Sequence, residues 1–243
     1  MNNAKIAQLH NEIINKTFQS ANLKSLNSLE FALFSESKYL ELSEILFTYY
    51  NIDASQIGVD ETEFLEIIAD LDETPSFNEY SKVFVNDLKE KGFVSEYFTS
   101  ELLVLCEKAQ VLTKSEMLNY LDGTFAKDVT ENELEYRDLI VSVANSSYEL
   151  WSNINLLKSS APGSSVIIAD AIGALWGLPL GGVGSIIYGA LFSLYQNELV
   201  HYEKSIMADK NEGEEYVDDQ TDVVDDTDID DETAEATDLV ILP

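Results

Sequence analysis

The chain has 243 residues, 45% hydrophobic and 10% aromatic, which is enough apolar material for one large or two small cored domains and excludes wholesale disorder. Lys and Arg number 14 against 45 Asp and Glu, and the resulting net charge of -31 repels nucleic-acid phosphates, so no nucleic-acid partner is expected. The single cysteine, Cys106, permits no intrachain disulfide and no thiolate metal cluster.

From Met1 to His10 polar and apolar residues mix where a secretory leader needs an unbroken apolar run. No signal peptide is expected. The location this implies is cytoplasmic or membrane-associated, with export by a non-classical route left open. Ile6, Leu9, Ile13 and Phe18 recur at helical intervals behind the capping candidates Asn2 and Asn3, which predicts a first amphipathic helix.

The same periodicity predicts helices over 37–50, 61–71, 77–91, 95–109, 114–122 and 131–157. Ser76 with Glu79, Thr113 with Glu116 and Thr130 with Glu133 each have capping-box spacing, and Gly92 and Gly123 stand where left-handed caps would end helices. No segment alternates with period two, so the expected fold is all-α. Residues 1–158 form a multi-helix bundle in this reading.

Residues 159–207 change character. Seven of the 11 glycines lie between Gly163 and Gly189, Asp170 is the only charge from Val166 to Tyr195, and small residues recur every fourth position: Ser165, Ala169, Gly173, Gly177, Gly181, Ser185, Gly189 and Ser193. Small residues four apart make a groove into which a second helix backbone can pack. Each step of four drifts about 40° around a helix, so one straight helix cannot use the whole ladder. Pro179 and Gly181-Gly182 break it, predicting a glycine-zipper hairpin of helices 164–176 and 183–205 with Ala169, Gly173 and Gly177 facing Gly181, Ser185 and Gly189. Ala169, Gly173, Gly177, Gly181, Ser185, Gly189 and Ser193 are therefore the candidate packing or self-association residues. Such a hairpin suits either a membrane or the core of a soluble bundle.

Residues 208–243 form the third region. Between 211 and 243 fourteen acids occur with no base, and like-charge repulsion predicts a disordered acidic tail suited to a basic protein partner.

Three stretches carry a resemblance: Leu9-His10-Asn11-Glu12-Ile13-Ile14-Asn15-Lys16, Ile140 to Trp151, and Ile168-Ala169-Asp170-Ala171-Ile172-Gly173 with the glycine-rich run after it. Together they resemble uncharacterised Bacteroidota helical proteins with an N-terminal HN motif and a C-terminal glycine-zipper segment like that of class II bacteriocins. The long acidic tail departs from that pattern. The resemblance implies membrane activity and carries over no catalytic residue.

No enzyme chemistry emerges from the motifs. His10 and His201 lie almost a chain length apart, and His10 is expected on a helix surface or cap. Cys106 lies on an apolar helix face and reads as an inert buried thiol. Ser35-Glu36-Ser37-Lys38 matches S-x-x-K without its supporting motifs. Asp226, Asp228 and Asp230 mimic the start of a calcium loop, but Asp231 and Thr237 replace its glycine and bidentate glutamate. No catalytic, cofactor or metal site is expected. The leading expectation is a non-enzymatic helical protein whose glycine-zipper segment associates with a membrane or with a second copy. The alternative is a soluble adaptor with the hairpin as core and the acidic tail as its contact.

Overall fold

The computed structural model describes residues 1–20, 28–53, 76–154 and 163–213. Among these the secondary structure is helical, with no strand, so the fold is all-α. The helix expected over 61–71 and the acidic tail beyond Gly213 lie outside the described residues.

Helix α1 (Asn3–Ser20) starts where Asn2 Oδ1 accepts from the Lys5 N–H at 2.9 Å, filling one orphan donor of the first turn. Its buried stripe is Ile6, Leu9, His10, Ile13, Ile14 and Thr17, spaced for one helix face. Helix α2 (Ser28–Tyr50) begins nine residues before its predicted start and ends at Asn51, whose φ of 53° stops it.

Helices α3 (Phe77–Glu90), α4 (Glu96–Val111) and α5 (Lys114–Gly123) follow with short turns. Both predicted capping boxes at their starts form, Ser76 with Glu79 and Thr113 with Glu116. Gly92 takes the left-handed conformation at φ 74° after α3. After α5 the left-handed residue is Ala126, not Gly123, and the Ala126 N–H is held by Glu101 Oε2 at 3.0 Å.

Helix α6 (Glu131–Ile154) opens on Glu133, which takes the Thr130 hydroxyl at 2.8 Å on one oxygen and the Ser95 N–H at 2.8 Å on the other. One carboxylate thereby ties the start of α6 to the start of α4.

Helix α7 (Ser164–Trp176), a 3₁₀ turn (Leu178–Leu180) and helix α8 (Gly181–Gly213) make the predicted hairpin. The turn places Pro179 in its first residues, where the missing N–H leaves nothing unpaired. The second arm runs to Gly213, beyond the predicted end at 205. The hairpin is enclosed by the rest of the chain: α7 packs on α3, α4 and α6, and α8 on α1 and α2. Every residue from Ser164 to Gly177 and from Gly184 to Asn197 is buried.

Candidate functional site: a buried charge pair in the hairpin

The two arms meet backbone to backbone. A Cβ on Gly173 would collide with the Tyr188 carbonyl oxygen and the Phe192 ring, and one on Gly177 with the carbonyl of Gly184. Gly184 is equally crowded against the Gly177 carbonyl. Such contact needs glycine on both arms, because any side chain would hold the helices apart.

The pairing differs in register from the ladder read in the sequence. Gly177 faces Gly184 and Ser185, whereas Gly181 is exposed at the turn, at φ 79°, with nothing within 4 Å of a Cβ. The 3₁₀ turn uses Leu178–Leu180 and leaves Gly181 as the left-handed residue that starts α8, so the contact begins one turn later. Gly184, off the four-residue ladder, was missed for that reason. Ala169, Ser185 and Ser193 are buried, and the hydroxyls of Ser185 and Ser193 have no hydrogen-bond partner. Gly189 packs against the Asp170 carbonyl and the His10 ring, its Cβ position 3.1 Å from one and 3.0 Å from the other.

That last contact leads to the polar centre of the core. Asp170 projects from α7 with none of its surface exposed, and its Oδ1 lies 3.4 Å from Nε2 of His10, also fully buried. The expectation of a surface histidine is thus corrected: His10 belongs to the buried stripe of α1. The contact is a close ion pair without hydrogen-bond alignment. The other carboxylate oxygen accepts the indole N–H of Trp151 from α6 at 3.0 Å.

The protonation of His10 follows from its neighbours. Asn11 Nδ2 donates to the Ser146 carbonyl at 2.7 Å and to the Ser146 hydroxyl at 2.6 Å, so Oδ1 is the atom Asn11 turns to His10 Nδ1, 3.1 Å away. Nδ1 must carry a proton to satisfy it. Nε2 faces Asp170 and the Gly189 carbonyl, both acceptors. Both ring nitrogens thus face acceptors, an arrangement that favours the imidazolium form of His10. Burial pulls its pKa down, but the Asp170 carboxylate, Asn11 and the Gly189 carbonyl outweigh that and hold it above 6.5.

His10 and Asn11, Ser146 and Trp151, and Asp170 come from three stretches far apart in the sequence, 9–16, 140–151 and 168–173. Helices α1, α6 and α7 bring all three together at one point, with the α8 backbone closing it at Gly189.

A second polar clamp holds the hairpin near its turn. Trp176 donates its indole N–H to Asp87 Oδ2 on α3 at 2.7 Å, and Lys91 pairs with the same oxygen at 2.8 Å. At the far end Ser164 donates to the Leu112 carbonyl at 2.6 Å, and Gln196 links Tyr80 to Ser165.

An apolar cleft beside the hairpin turn, lined by Leu88, Val94, Tyr136, Leu175, Leu178 and Pro179, holds about 100 Å³, below the roughly 300 Å³ at which ligand pockets begin. Among the described residues no three His, Cys, Asp or Glu side chains group as metal ligands. Comparison with protein-family models, with curated proteins and with solved structures finds no match to this chain.

Proposed function

We propose that the protein is a non-enzymatic helical sheath that keeps an apolar glycine-zipper hairpin in soluble form and yields it to a membrane. The observation that carries the reading is that every residue from Ser164 to Gly177 and from Gly184 to Asn197 is buried under the surrounding helices. A helix that is apolar all round needs either protein or lipid around it, and here the protein supplies what lipid would. Leu178–Asn197 is long and apolar enough, by length and composition, to cross a membrane. The 13 residues of α7 reach only about 20 Å at 1.5 Å per residue, so the second arm would span and the first would lie partly embedded. The likeness to glycine-zipper bacteriocins points the same way.

The close glycine contacts are already made within the chain, which favours transfer of the zipped hairpin as a unit. A homo-oligomer through the ladder would first have to open it. The same contacts favour a second reading, a soluble adaptor in which the hairpin is permanent core and the acidic tail binds a basic protein.

Flotation of the purified full chain with zwitterionic phosphatidylcholine vesicles separates the two. Vesicles are expected to carry the protein upward, with release of an entrapped dye. A chain that stays in the soluble fraction throughout, with anionic vesicles as well, rejects the membrane reading in favour of the adaptor.

A further inference from the structure

The connection between the hairpin arms, Gly177-Leu178-Pro179-Leu180-Gly181-Gly182-Val183-Gly184, carries no polar side chain. Pro179, Leu180 and Gly181 are exposed, and Leu178, Gly182 and Val183 are half-buried. Other connections differ: α4–α5 uses Thr113, and α5–α6 uses Thr124, Lys127, Asp128 and Thr130, as turns in water normally do. Neighbouring residues extend the bare turn. Phe93 of the α3–α4 turn, 37% exposed, shares the apolar cleft with Leu178 and Pro179, and Met1, 60% exposed, packs beside Gly182. Exposed apolar groups gathered at one end of a bundle mark a contact surface.

We infer that this turn is the site of first contact with lipid, entering the interface of a zwitterionic bilayer tip first while the arms stay sheathed. The inference deepens the membrane reading and rests on it for lipid as the partner.

Charge selects the occupant. Residues 171–197 hold no formal charge, so the turn offers a basic protein nothing to pair with. Two copies of a chain with net charge -31 repel each other, and the same charge repels an anionic membrane. A zwitterionic surface has no net charge to oppose the approach, and exposed Leu, Pro and Phe side chains gain by leaving water for the acyl boundary beneath its headgroups. The patch is also continuous with Leu178–Asn197, the segment apolar and long enough to cross a membrane, which starts at this turn. Just behind it stands Trp176, its indole N–H on Asp87 and Lys91 over its ring at 5.1 Å. An apolar ring with a polar handle beside a lysine suits the headgroup level.

Depth lets the tip enter without disturbing the centre of the core. Asp170 lies seven residues before Gly177 on α7, about 10 Å up the arm at 1.5 Å per residue. An interfacial segment sinks only about 5–10 Å. During contact Asp170 therefore keeps its place beside His10 and stays out of hydrocarbon.

The test uses the full chain and phosphatidylcholine vesicles. Leu180→Asp keeps the Cβ that packs beside Gly184 and puts a charge on the exposed tip. It is expected to weaken vesicle binding by roughly tenfold or more, the worth of one leucine withdrawn from an apolar medium, with the melting temperature unchanged. Val111→Asp, at a site 78% exposed next to Leu112 at the opposite end of the hairpin, is expected to bind as wild type does. Position is read separately with an environment-sensitive thiol-linked fluorophore on Leu180→Cys or Val111→Cys, Cys106 being buried with its thiol raised to about 12. Vesicles are expected to shift the emission of the probe at 180 to the blue and to leave that of the probe at 111 unchanged.

Should Leu180→Asp melt lower, the probe decides. A wild type that floats while the probe at 180 stays in water means that another surface meets the lipid, which overturns the tip and leaves the membrane reading standing. A wild type that does not float sinks the membrane reading and the tip with it. A blue shift at 180 that grows with protein concentration in the absence of vesicles assigns the patch to a second copy and overturns lipid as its occupant.

Discussion

Gly177 and Gly184 pack so closely that a Cβ on either would meet the other's carbonyl. Because the obstacle is backbone and not the end of a flexible side chain, neither residue tolerates even a methyl group without a shift of one arm. Gly177→Ala is therefore expected to destabilise, since overpacking of about 1–3 kcal/mol exceeds a helix-propensity gain of up to about 1 kcal/mol. Gly177→Leu should be worse.

The proper control is Gly123, where an added Cβ meets nothing within 4 Å. It closes helix α5 without a positive φ, so Gly123→Ala is expected to leave the melting temperature unchanged or raise it slightly. Gly182 would be a poor control, because its Cβ would sit 2.9 Å from that of Met1 and 3.4 Å from Ile6. Thermal melts in which Gly177→Ala and Gly123→Ala behave alike would show that the close approach carries no stability.

The all-α class, the hairpin and two capping boxes were legible in the sequence because each depends on residues a few positions apart. The facing pairs across the hairpin were not, since the length of the 3₁₀ turn sets their register and four-residue spacing alone does not. His10 illustrates a different gap. Its place was open to inference: positions 6, 9, 10, 13 and 14 form one helical stripe, and a lone aspartate in an apolar run needs a cationic partner. What periodicity could not supply was which of the helices would bring that partner, a matter of packing between residues 160 positions apart.

Stability should depend on pH through His10. Its folded pKa lies above the unfolded value of 6.5, so while Asp170 is ionised the contribution is complete below 6.5 and is lost as pH rises through the folded value. Deprotonation then leaves the Asp170 carboxylate buried without its cation. Melting temperature is expected to fall on the alkaline side of neutrality, and the double variant His10→Gln/Asp170→Asn to lack this fall. An equal alkaline slope in both proteins would assign it to other groups. His10→Gln alone, which strands the carboxylate, should lose about 3–5 kcal/mol.

Cys106 offers a chemical report on the core. Burial raises its thiol to about 12, so almost none is thiolate at neutral pH, and no part of the residue is exposed. Native protein is expected to resist a maleimide or an aromatic disulfide reagent, with rapid labelling only after denaturation. Fast stoichiometric labelling of the folded chain would mean that α4 opens readily from the hairpin.

The clamp at the hairpin turn can be tested apart from the central pair. Asp87 accepts the Trp176 indole N–H at 2.7 Å and holds Lys91 at 2.8 Å, while Lys91 lies 5.1 Å from the centre of the same indole ring. Trp176 is otherwise packed edge-on against Tyr188 at 4.6 Å and Phe84 at 5.3 Å, so among the described residues its strong polar tie is to α3. Removing the acceptor with Asp87→Ala leaves a nearly buried indole N–H unpaired, a loss of about 1–3 kcal/mol. The variant is expected to melt lower and to shift tryptophan emission to the red, since Trp151 and Trp176 are the only two tryptophans and only the second is touched. In the background Trp176→Phe, which keeps the ring but has no donor, Asp87→Ala should cost markedly less. Additive losses in that double-mutant cycle would show that Asp87 acts through Lys91 alone and that the indole hydrogen bond does not hold the hairpin.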